Sequence, residues 1–184
     1  MFEIFNDEDF FSKLEIVRNT CCLISSNSSN NFFDSDKLIK HIVIDALKEK
    51  LKDLIINGID NFIVGLENNF DIICIELLSE LKGEYSGIKL ICFCEEKNRK
   101  KYIEGYNGEN ILKNIDFFKI FENDIYINKI SIIHKNMIDY SSTLIVFVEL
   151  DDTTKSLTEY ANLKHLNIIK LEKSINGFNI LSFD

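Results

Sequence analysis

The sequence predicts an α/β fold: a three-layer, Rossmann-like domain with a mostly parallel sheet and helices on both of its faces. Short apolar runs typical of strands alternate along the chain with helix-length segments whose apolar residues recur every three or four positions. The run Thr143–Leu150 is almost continuously apolar, as expected of a strand that is covered on both faces. Strands that alternate with helices form right-handed βαβ units, so the sheet that they build is mostly parallel.

Length and charge limit the kind of protein. The 184 residues, 46% of them hydrophobic, suit one domain over residues 1–184 with a sizeable core. The net charge of −9 argues against a general nucleic-acid binder, because neutralising phosphates requires a basic surface. A small anionic ligand stays open, since helix N-termini and backbone amides bind anions whatever the net charge.

The amino-terminal residues are acidic where a signal peptide would be basic, and no apolar run approaches the roughly 20 residues that span a bilayer. We therefore expect a cytoplasmic protein with no membrane partner. The five cysteines lack metal-type spacing and are expected to be core thiols, with Cys92 and Cys94 on the same face of one strand. The sequence predicts no metal site and identifies no cofactor.

The first element expected is a helical extension over residues 1–19. Within it, Asn6 is a suitable N-cap, and the acidic residues after it favour the positive end of a helix that runs to about Arg18. The apolar run Cys21–Ile24 then predicts the first strand of the main sheet.

A long helix follows, capped by Asp34 or Ser35 and running to about Ile56, with Gly58 as its C-terminal stop. The strands expected after it are Asn61–Leu66, Ile88–Cys94, Phe117–Phe121, Thr143–Leu150 and Asn167–Leu171. The helices expected between them are Phe70–Lys82, a charged helix within Glu95–Asn114 that breaks near Gly105–Gly108, Ile125–Tyr140 and Thr154–His165. The C-terminal extension, residues 174–184, is apolar enough to pack as an edge strand or a strap.

Three loops stand where an open parallel sheet binds its ligands, at the carboxyl ends of strands. They are Ser25–Asn31, Glu67–Asn69 and Asp151–Thr154. None of them contains glycine, the residue that normally lets bare backbone amides approach a phosphate closely. The loops therefore locate the site without identifying a reaction.

The motifs at these loops resemble those of the YpsA-like family of the SLOG superfamily, Rossmann-like proteins related to the LOG nucleotide phosphoribohydrolases and to DprA. Ile24–Ser29 stands where that family has a Thr-Gly-His-Arg type of motif, and Gly65–Asp71 stands for Gly-Met-Ala-x-Gly-x-Asp, with its first glycine and its aspartate kept. His134–Ser141 contains Met-Ile-Asp of the third motif. Asp152–Thr154 replaces Gly-Gly-Thr, upstream of a matching Tyr160–Ala161.

The resemblance covers about Thr20 to Leu171 and implies a site for a nucleotide-derived small molecule. The ligand-binding residues that it implies are Ser25, Ser26, Asn27, Gly65, Asn69, Asp71, His134, Asp152, Thr153 and Thr154. Glu159 lies near the position of the catalytic glutamate of LOG enzymes, but neither arginine of the chain matches that residue's partner.

Several of these residues have a structural alternative. The Ser25–Asn31 loop is either an anion site or a polar connection, and Asp71 either caps a helix or contacts a ligand. Asn69, at the family's second glycine, is expected in the left-handed region. Thr154 is expected to cap the last helix.

Acidic residues also face the expected ligand. The Asp151–Asp152 pair would repel a phosphate, and with Glu67 and Asp71 it could instead hold a divalent cation. The histidines His41 and His165 are expected at the surface, whereas His134 occupies the family's basic position. The basic cluster Lys97–Lys101 is either a solvated helix face or a contact for an anion or a partner.

Three functions stay open: a domain that binds or senses a nucleotide-derived ligand without turning it over, a domain with a degenerate site that serves protein–protein interaction, and a LOG-like hydrolase of N-glycosidic bonds. The hydrolase needs a carboxylate, an electrophilic arginine and a phosphate cradle together, and only the carboxylate has a match. With 15 phenylalanines and two apolar extensions, a homo-oligomer is also expected.

Overall fold

The computed structural model describes residues 3–4, 19–25, 37–104, 112–148, 152–174 and 177–183. The main strands of the described chain are β1 (Glu3–Ile4), β2 (Thr20–Ser25), β3 (Asn61–Val64), β4 (Lys89–Glu95), β5 (Phe117–Phe121), β8 (Thr143–Val148), β9 (Asn167–Ser174) and β10 (Gly177–Phe183), and a separate hairpin holds β6 (Tyr126–Ile127) and β7 (Ile130–Ser131). The helices are α1 (Lys37–Ile56), α2 (Asn69–Glu84), α3 (Glu96–Glu104), α4 (Ile132–Asp139) and α5 (Asp152–Leu163).

The main sheet has eight strands in the order β1-β5-β4-β3-β2-β8-β9-β10, and each neighbouring pair is parallel except β9 with β10. In β2, Leu23 pairs with Val64 of β3 on one side and Ile145 of β8 on the other. The chain thus runs outward from β2 in one direction to β5, and then crosses back to β8. This reversal places a topological switch point between β2 and β8.

Two apolar layers cover the sheet. On one face, α1 and α2 pack Leu47, Leu51 and Leu78 against alternate strand residues. On the other face, α4 and α5 pack Met137 and Leu157 against the remaining strand residues. Because β2, β3 and β8 are buried on both faces, their sequences are apolar without alternation, except at the strand ends Thr20, Ser25, Asn61 and Thr143. The predicted α/β, Rossmann-like class is confirmed.

Most of the main-sheet strands and the long helices appear where the sequence predicts them. Phe117–Phe121 matches its predicted bounds, and the C-terminal extension forms the antiparallel edge strand β10. Helix α1 ends as expected at Gly58, whose φ of +94° is available to glycine at little cost. The Gly58 amide donates to the Ile55 carbonyl and the Ile59 amide to the Leu54 carbonyl, which is the pattern of a Schellman motif.

The prediction of one helix over Ile125–Tyr140 was wrong in its first half. Strands β6 and β7 form a hairpin there, and only the second half is helix α4. The two loop residues, Asn128 and Lys129, have φ values of 52° and 69°, as a type I′ turn requires. The apolar residues of this segment fit a helical period and a short hairpin equally well, so the period alone misassigned it.

The N-terminal extension differs in part from the predicted helix. Glu3–Ile4 forms a short strand beside β5, which the sequence did not predict, and the helix predicted from Asn6 to Arg18 lies outside the described residues. The caps proposed at Asp34 and Ser35 lie outside them too. None of the described helices is long and apolar enough to cross a membrane.

All five cysteines are buried and reduced, as predicted, and Cys92 and Cys94 lie in the same apolar layer. Burial raises the pKa of the Cys22 thiol to about 12 and those of Cys21 and Cys74 well above their usual range. Because the thiolate is the reactive form, these side chains are inert packing groups.

Candidate functional site

The candidate site lies at the carboxyl ends of β2 and β3, where Ser25 ends one strand and Gly65 follows the other. Since β3, β2 and β8 are parallel neighbours in the sheet, their carboxyl ends lie along the same edge. Ser25 is fully buried, and its hydroxyl donates a hydrogen bond of 3.2 Å to the side-chain oxygen of Asn68. This bond joins the end of β2 to the start of α2.

Asn68 and Asp71 form a capping box at the N-terminus of α2. Asn68 is the N-cap, and its Oδ1 accepts from the Asp71 amide at 3.1 Å. In return, Asp71 Oδ2 accepts from the backbone amides of Glu67 at 2.8 Å and Asn68 at 3.2 Å. The Asp71 carboxylate therefore satisfies the two backbone amides that directly precede the first turn of the helix.

Gly65 is required by the close approach of Asp71. A Cβ atom added at Gly65 would lie 2.6 Å from Asp71 Oδ2 and 3.0 Å from its Cγ. No side chain fits there unless the carboxylate moves away from the amides that it binds. The glycine and the aspartate of this motif are thus coupled by packing.

The side-chain nitrogen of Asn68, Nδ2, has no acceptor among the described residues, although the residue is only 3% exposed. The amide orientation follows from its neighbours: Oδ1 accepts from Ser25 and from the backbone N–H of Asp71, and a flipped amide would set the Nδ2 donor against that N–H, which can only donate. A buried donor without an acceptor is costly, typically by about 1–3 kcal/mol. Asn68 Nδ2 is therefore an atom suited to an acceptor supplied from outside the protein.

Acidic side chains surround this position. Burial, followed by the charges of Asp71, Asp124 and Glu95, raises the pKa of Glu67 to about 8, against the opposing effect of Lys97. Glu67 is accordingly protonated at neutral pH. Burial likewise raises the pKa of Asp71 to about 6, and the two backbone hydrogen bonds limit the rise.

Glu95 lies at the end of β4 and completes a group of carboxyl side chains, Glu67, Asp71, Glu95 and Asp124, here called the acidic rim. Its carboxylate accepts from the Asp124 amide at 2.8 Å and lies 2.6 Å from the ammonium of Lys97. Burial raises the pKa of Glu95, but these two hydrogen bonds outweigh it and hold the pKa below its usual range. The first lysine of the basic cluster Lys97–Lys101 thus pairs with this rim, and Arg99 pairs with Glu96 on α3 itself.

Two backbone predictions at the site were wrong. Asn69 is the first residue of α2 and is not among the described residues with positive φ, because Asn68 ahead of it makes the turn with an extended N-cap conformation. Thr154 is not the N-cap of α5, because that helix already begins at Asp152. Asp152, Thr153 and Thr154 form its first turn instead of a loop, and Thr154 is buried.

The remaining predicted residues are dispersed. Ser26 and Asn27 lie outside the described residues. His134 is buried on α4, and burial lowers its pKa to about 4. Glu159 lies on the outer surface of α5 with its side chain 64% exposed, 4.0 Å from Lys155.

The described part of the chain contains no group of three or more His, Cys, Asp or Glu side chains placed to hold a metal ion. This absence does not test the cation site considered at Asp151 and Asp152, because Asp151 and the side chain of Asp152 lie outside the described residues. Asp71, which would have joined it, is engaged with backbone amides.

The sequence model of a protein family described as the YspA SLOG family matches residues 27–176. The chain belongs to this YpsA (SLOG) family. The match spans most of the sequence and includes the segments after β3 and β8. No curated protein matches the sequence.

Asn68 is the residue of the candidate site that the sequence analysis did not single out. The signal was available, because Asn-x-x-Asp before an apolar helix has the spacing of a capping box. The contact with Ser25 and the absence of an acceptor for Nδ2 had no signal in the sequence, since both depend on β2 and β3 being neighbours.

Proposed function

We propose that this SLOG-family domain binds a nucleotide-derived small molecule at the carboxyl edge of the sheet, beside the end of β2, without turning it over. The observation that supports this most is the buried amide of Asn68, whose Nδ2 has no acceptor among the described residues. Its position next to the switch point of the sheet is where open α/β folds bind ligands.

The surroundings favour an uncharged acceptor on the ligand. The carboxylates of Asp71 and Glu95 lie near this position, Glu67 beside them is neutral, and the cation Lys97 is already 2.6 Å from Glu95. A phosphate placed directly on Asn68 would meet this acidic rim, whereas a ribose hydroxyl or a base carbonyl would not be repelled. We infer that the sugar or base of the ligand contacts Asn68.

Turnover has less support than binding. The hydrolase alternative depends on Glu159, which is exposed on the outer surface of α5 and lines a groove with the β6–β7 hairpin. Arg99, one of the two arginines, is bound to Glu96 through two nitrogens. Release of free base from nucleoside monophosphates, abolished by Glu159→Gln, would support the hydrolase over the binder.

The test is thermal unfolding with AMP, adenosine, NAD and ADP-ribose. A ligand at a hundred times its Kd stabilises the folded state by about 2.7 kcal/mol, which for a chain of this size raises Tm by roughly 5–10 °C. Asn68→Ser keeps a capping oxygen but removes the amide donor, so we expect it to lose most of this rise. Asn167→Ser, an exposed change at the opposite edge of the sheet, is the matched control and should keep it.

A flat response of the wild-type protein to the whole panel would contradict ligand binding and favour a degenerate site. An equal rise in Asn68→Ser and wild type would contradict the role of the amide. A protein–protein role is the second candidate, and it has support of its own in the exposed apolar residues Ile125, Tyr126, Ile127 and Leu163.

A further inference from the structure

Ser25 ends an inner strand of the sheet with a side chain that faces α2. Its backbone pairs in register with Phe147 of β8, so the end of β2 is held inside the sheet. Side chains alternate between the two faces of a strand, and Leu23, two residues earlier, belongs to the apolar layer that α2 covers. The Ser25 hydroxyl therefore lies on the face of the sheet where α2 begins.

The first turn of α2 is fixed against the same part of the sheet by apolar packing. Phe70, the second residue of the helix, is fully buried, and its ring centre lies 5.8 Å from that of Phe147. The capping box between Asn68 and Asp71 holds the backbone of this turn. The amide at the end of the Asn68 side chain needs a further constraint, because the terminal torsion of asparagine has no sharp preference of its own.

Two donors from different elements converge on Asn68 Oδ1. The Asp71 N–H donates at 3.1 Å from within α2, and the Ser25 hydroxyl donates at 3.2 Å from the end of β2. With the Asp71 donor alone, the amide could pivot about a single hydrogen bond. The second donor is anchored in the sheet, so it removes this freedom and sets the direction of Nδ2, which has no acceptor among the described residues.

We propose that Ser25 is a positioning residue of the ligand site: its hydroxyl fixes the side-chain amide of Asn68, so that Nδ2 is oriented before the ligand arrives. This inference rests on the proposed function, since Asn68 is the residue that receives the ligand. A serine hydroxyl has one proton, and Asn68 accepts the proton of Ser25. Ser25 then acts through Asn68 instead of making the direct ligand contact that the family resemblance implies.

Orientation before binding strengthens affinity, because a ligand that has to immobilise a mobile side chain binds more weakly. For one polar side chain this loss is roughly three- to tenfold in affinity. Ser25→Ala removes the donor from β2 and leaves the hydrogen bond between Asn68 and the Asp71 N–H in place. We therefore expect α2 to stay capped in this variant while the Asn68 amide becomes mobile.

NMR of the ligand-free protein tests the positioning directly. The side-chain amide signals of Asn68 are the pair that disappears in Asn68→Ser, and their ¹⁵N relaxation gives an order parameter. We expect about 0.85 in the wild type, as in rigid groups, and less than about 0.6 in Ser25→Ala. Ser142→Ala is the matched control: the Ser142 hydroxyl also donates over 3.2 Å, to the Thr20 carbonyl at the other end of β2, and its loss should leave the order parameter unchanged.

Isothermal titration calorimetry with AMP, adenosine, NAD and ADP-ribose measures the consequence for binding. For a probe that binds the wild type, Ser25→Ala should weaken affinity roughly three- to tenfold, and Ser142→Ala should not change it. An Asn68 amide that is as ordered in Ser25→Ala as in the wild type overturns the proposal, whatever happens to affinity. An amide that becomes mobile without any loss of affinity overturns it as well.

The two measurements separate this proposal from the proposed function. A wild-type protein that binds none of the four probes contradicts the ligand site. The order parameter is measured without ligand, so it still decides whether Ser25 fixes the Asn68 amide.

Discussion

At the scale of single residues, Asp71 illustrates how a motif acquires its structure. Its carboxylate could have served a ligand or a helix cap, and it binds two backbone amides at 2.8 and 3.2 Å. The cap also explains Gly65, whose missing side chain leaves room for that carboxylate. Both residues are present for the geometry of the turn, and the turn in turn orients Asn68.

Gly65→Ala should lower the free energy of unfolding by about 1–3 kcal/mol, because the new methyl group displaces the Asp71 carboxylate from its amides. Urea unfolding measures the loss. The matched control is Gly83→Ala in α2, where nothing lies within 4 Å of the added carbon; it should raise stability by about 0.5–1 kcal/mol. If Gly65→Ala costs as much in an Asp71→Ala background as in the wild type, the coupling is disproved.

At the scale of elements, the β6–β7 hairpin is a segment whose local sequence is compatible with both a helix and a hairpin. Its apolar residues recur at a spacing that suits a helix, and it has no glycine at the turn. Asn128 and Lys129 nevertheless occupy the left-handed region, with φ of 52° and 69°. Helix α4 then starts with Ser131 as its N-cap, whose hydroxyl oxygen accepts from the His134 amide.

Lys129→Gly should stabilise the protein by about 0.5–1 kcal/mol, because glycine enters the left-handed region without a steric penalty. The free energy of unfolding from urea titration is the measurement. Lys155→Gly, an exposed change within α5, should have the opposite sign and cost about 1 kcal/mol. A destabilising Lys129→Gly would argue against a type I′ turn at this position.

At the scale of the whole molecule, buried titratable groups make stability depend on pH in opposing directions. The folded-state pKa of Glu67, about 8, and that of Asp71, about 6, lie above their usual values, so their protonation favours the folded state as the pH falls. For His134 the folded-state pKa of about 4 lies below the usual 6.5. Acidification between these two values therefore charges the unfolded chain first and favours unfolding.

His134→Leu should remove the destabilisation that the wild type experiences as the pH falls from 6.5 to 4. The effect approaches about 3 kcal/mol at the acidic end, since a difference of one pKa unit corresponds to about 1.4 kcal/mol. Free energies of unfolding of both proteins across this range measure it. His41→Leu is the control, because the His41 side chain is exposed, and its curve should run parallel to that of the wild type.

Parallel curves for His134→Leu and the wild type would contradict the buried, neutral state of this imidazole. They would show that the pKa of His134 is the same in the folded and the unfolded chain. The answer therefore bears on the site as well as on the stability of the fold.

The sequence predicted where the candidate site lies, but it did not predict most of the contacts within it. The loops after β2 and β3 were predicted to hold it, and Gly65 and Asp71 stood out as a motif. Thr154 was misassigned as a cap and Asn69 as a left-handed residue, because helix starts are set by which backbone amides find an acceptor. That choice depends on neighbouring strands that a local pattern does not contain.

By itself, the sequence determined the α/β class, the order of most of the main-sheet strands and long helices, and the burial of the cysteines, because the composition and spacing of apolar residues are properties of local segments. Only the tertiary structure decided that Ser25 meets Asn68, that Glu67 is surrounded by other carboxyl groups and that a hairpin precedes α4. These features come from strands and loops that are distant in the chain, and their energies appear only when parallel pairing brings them together.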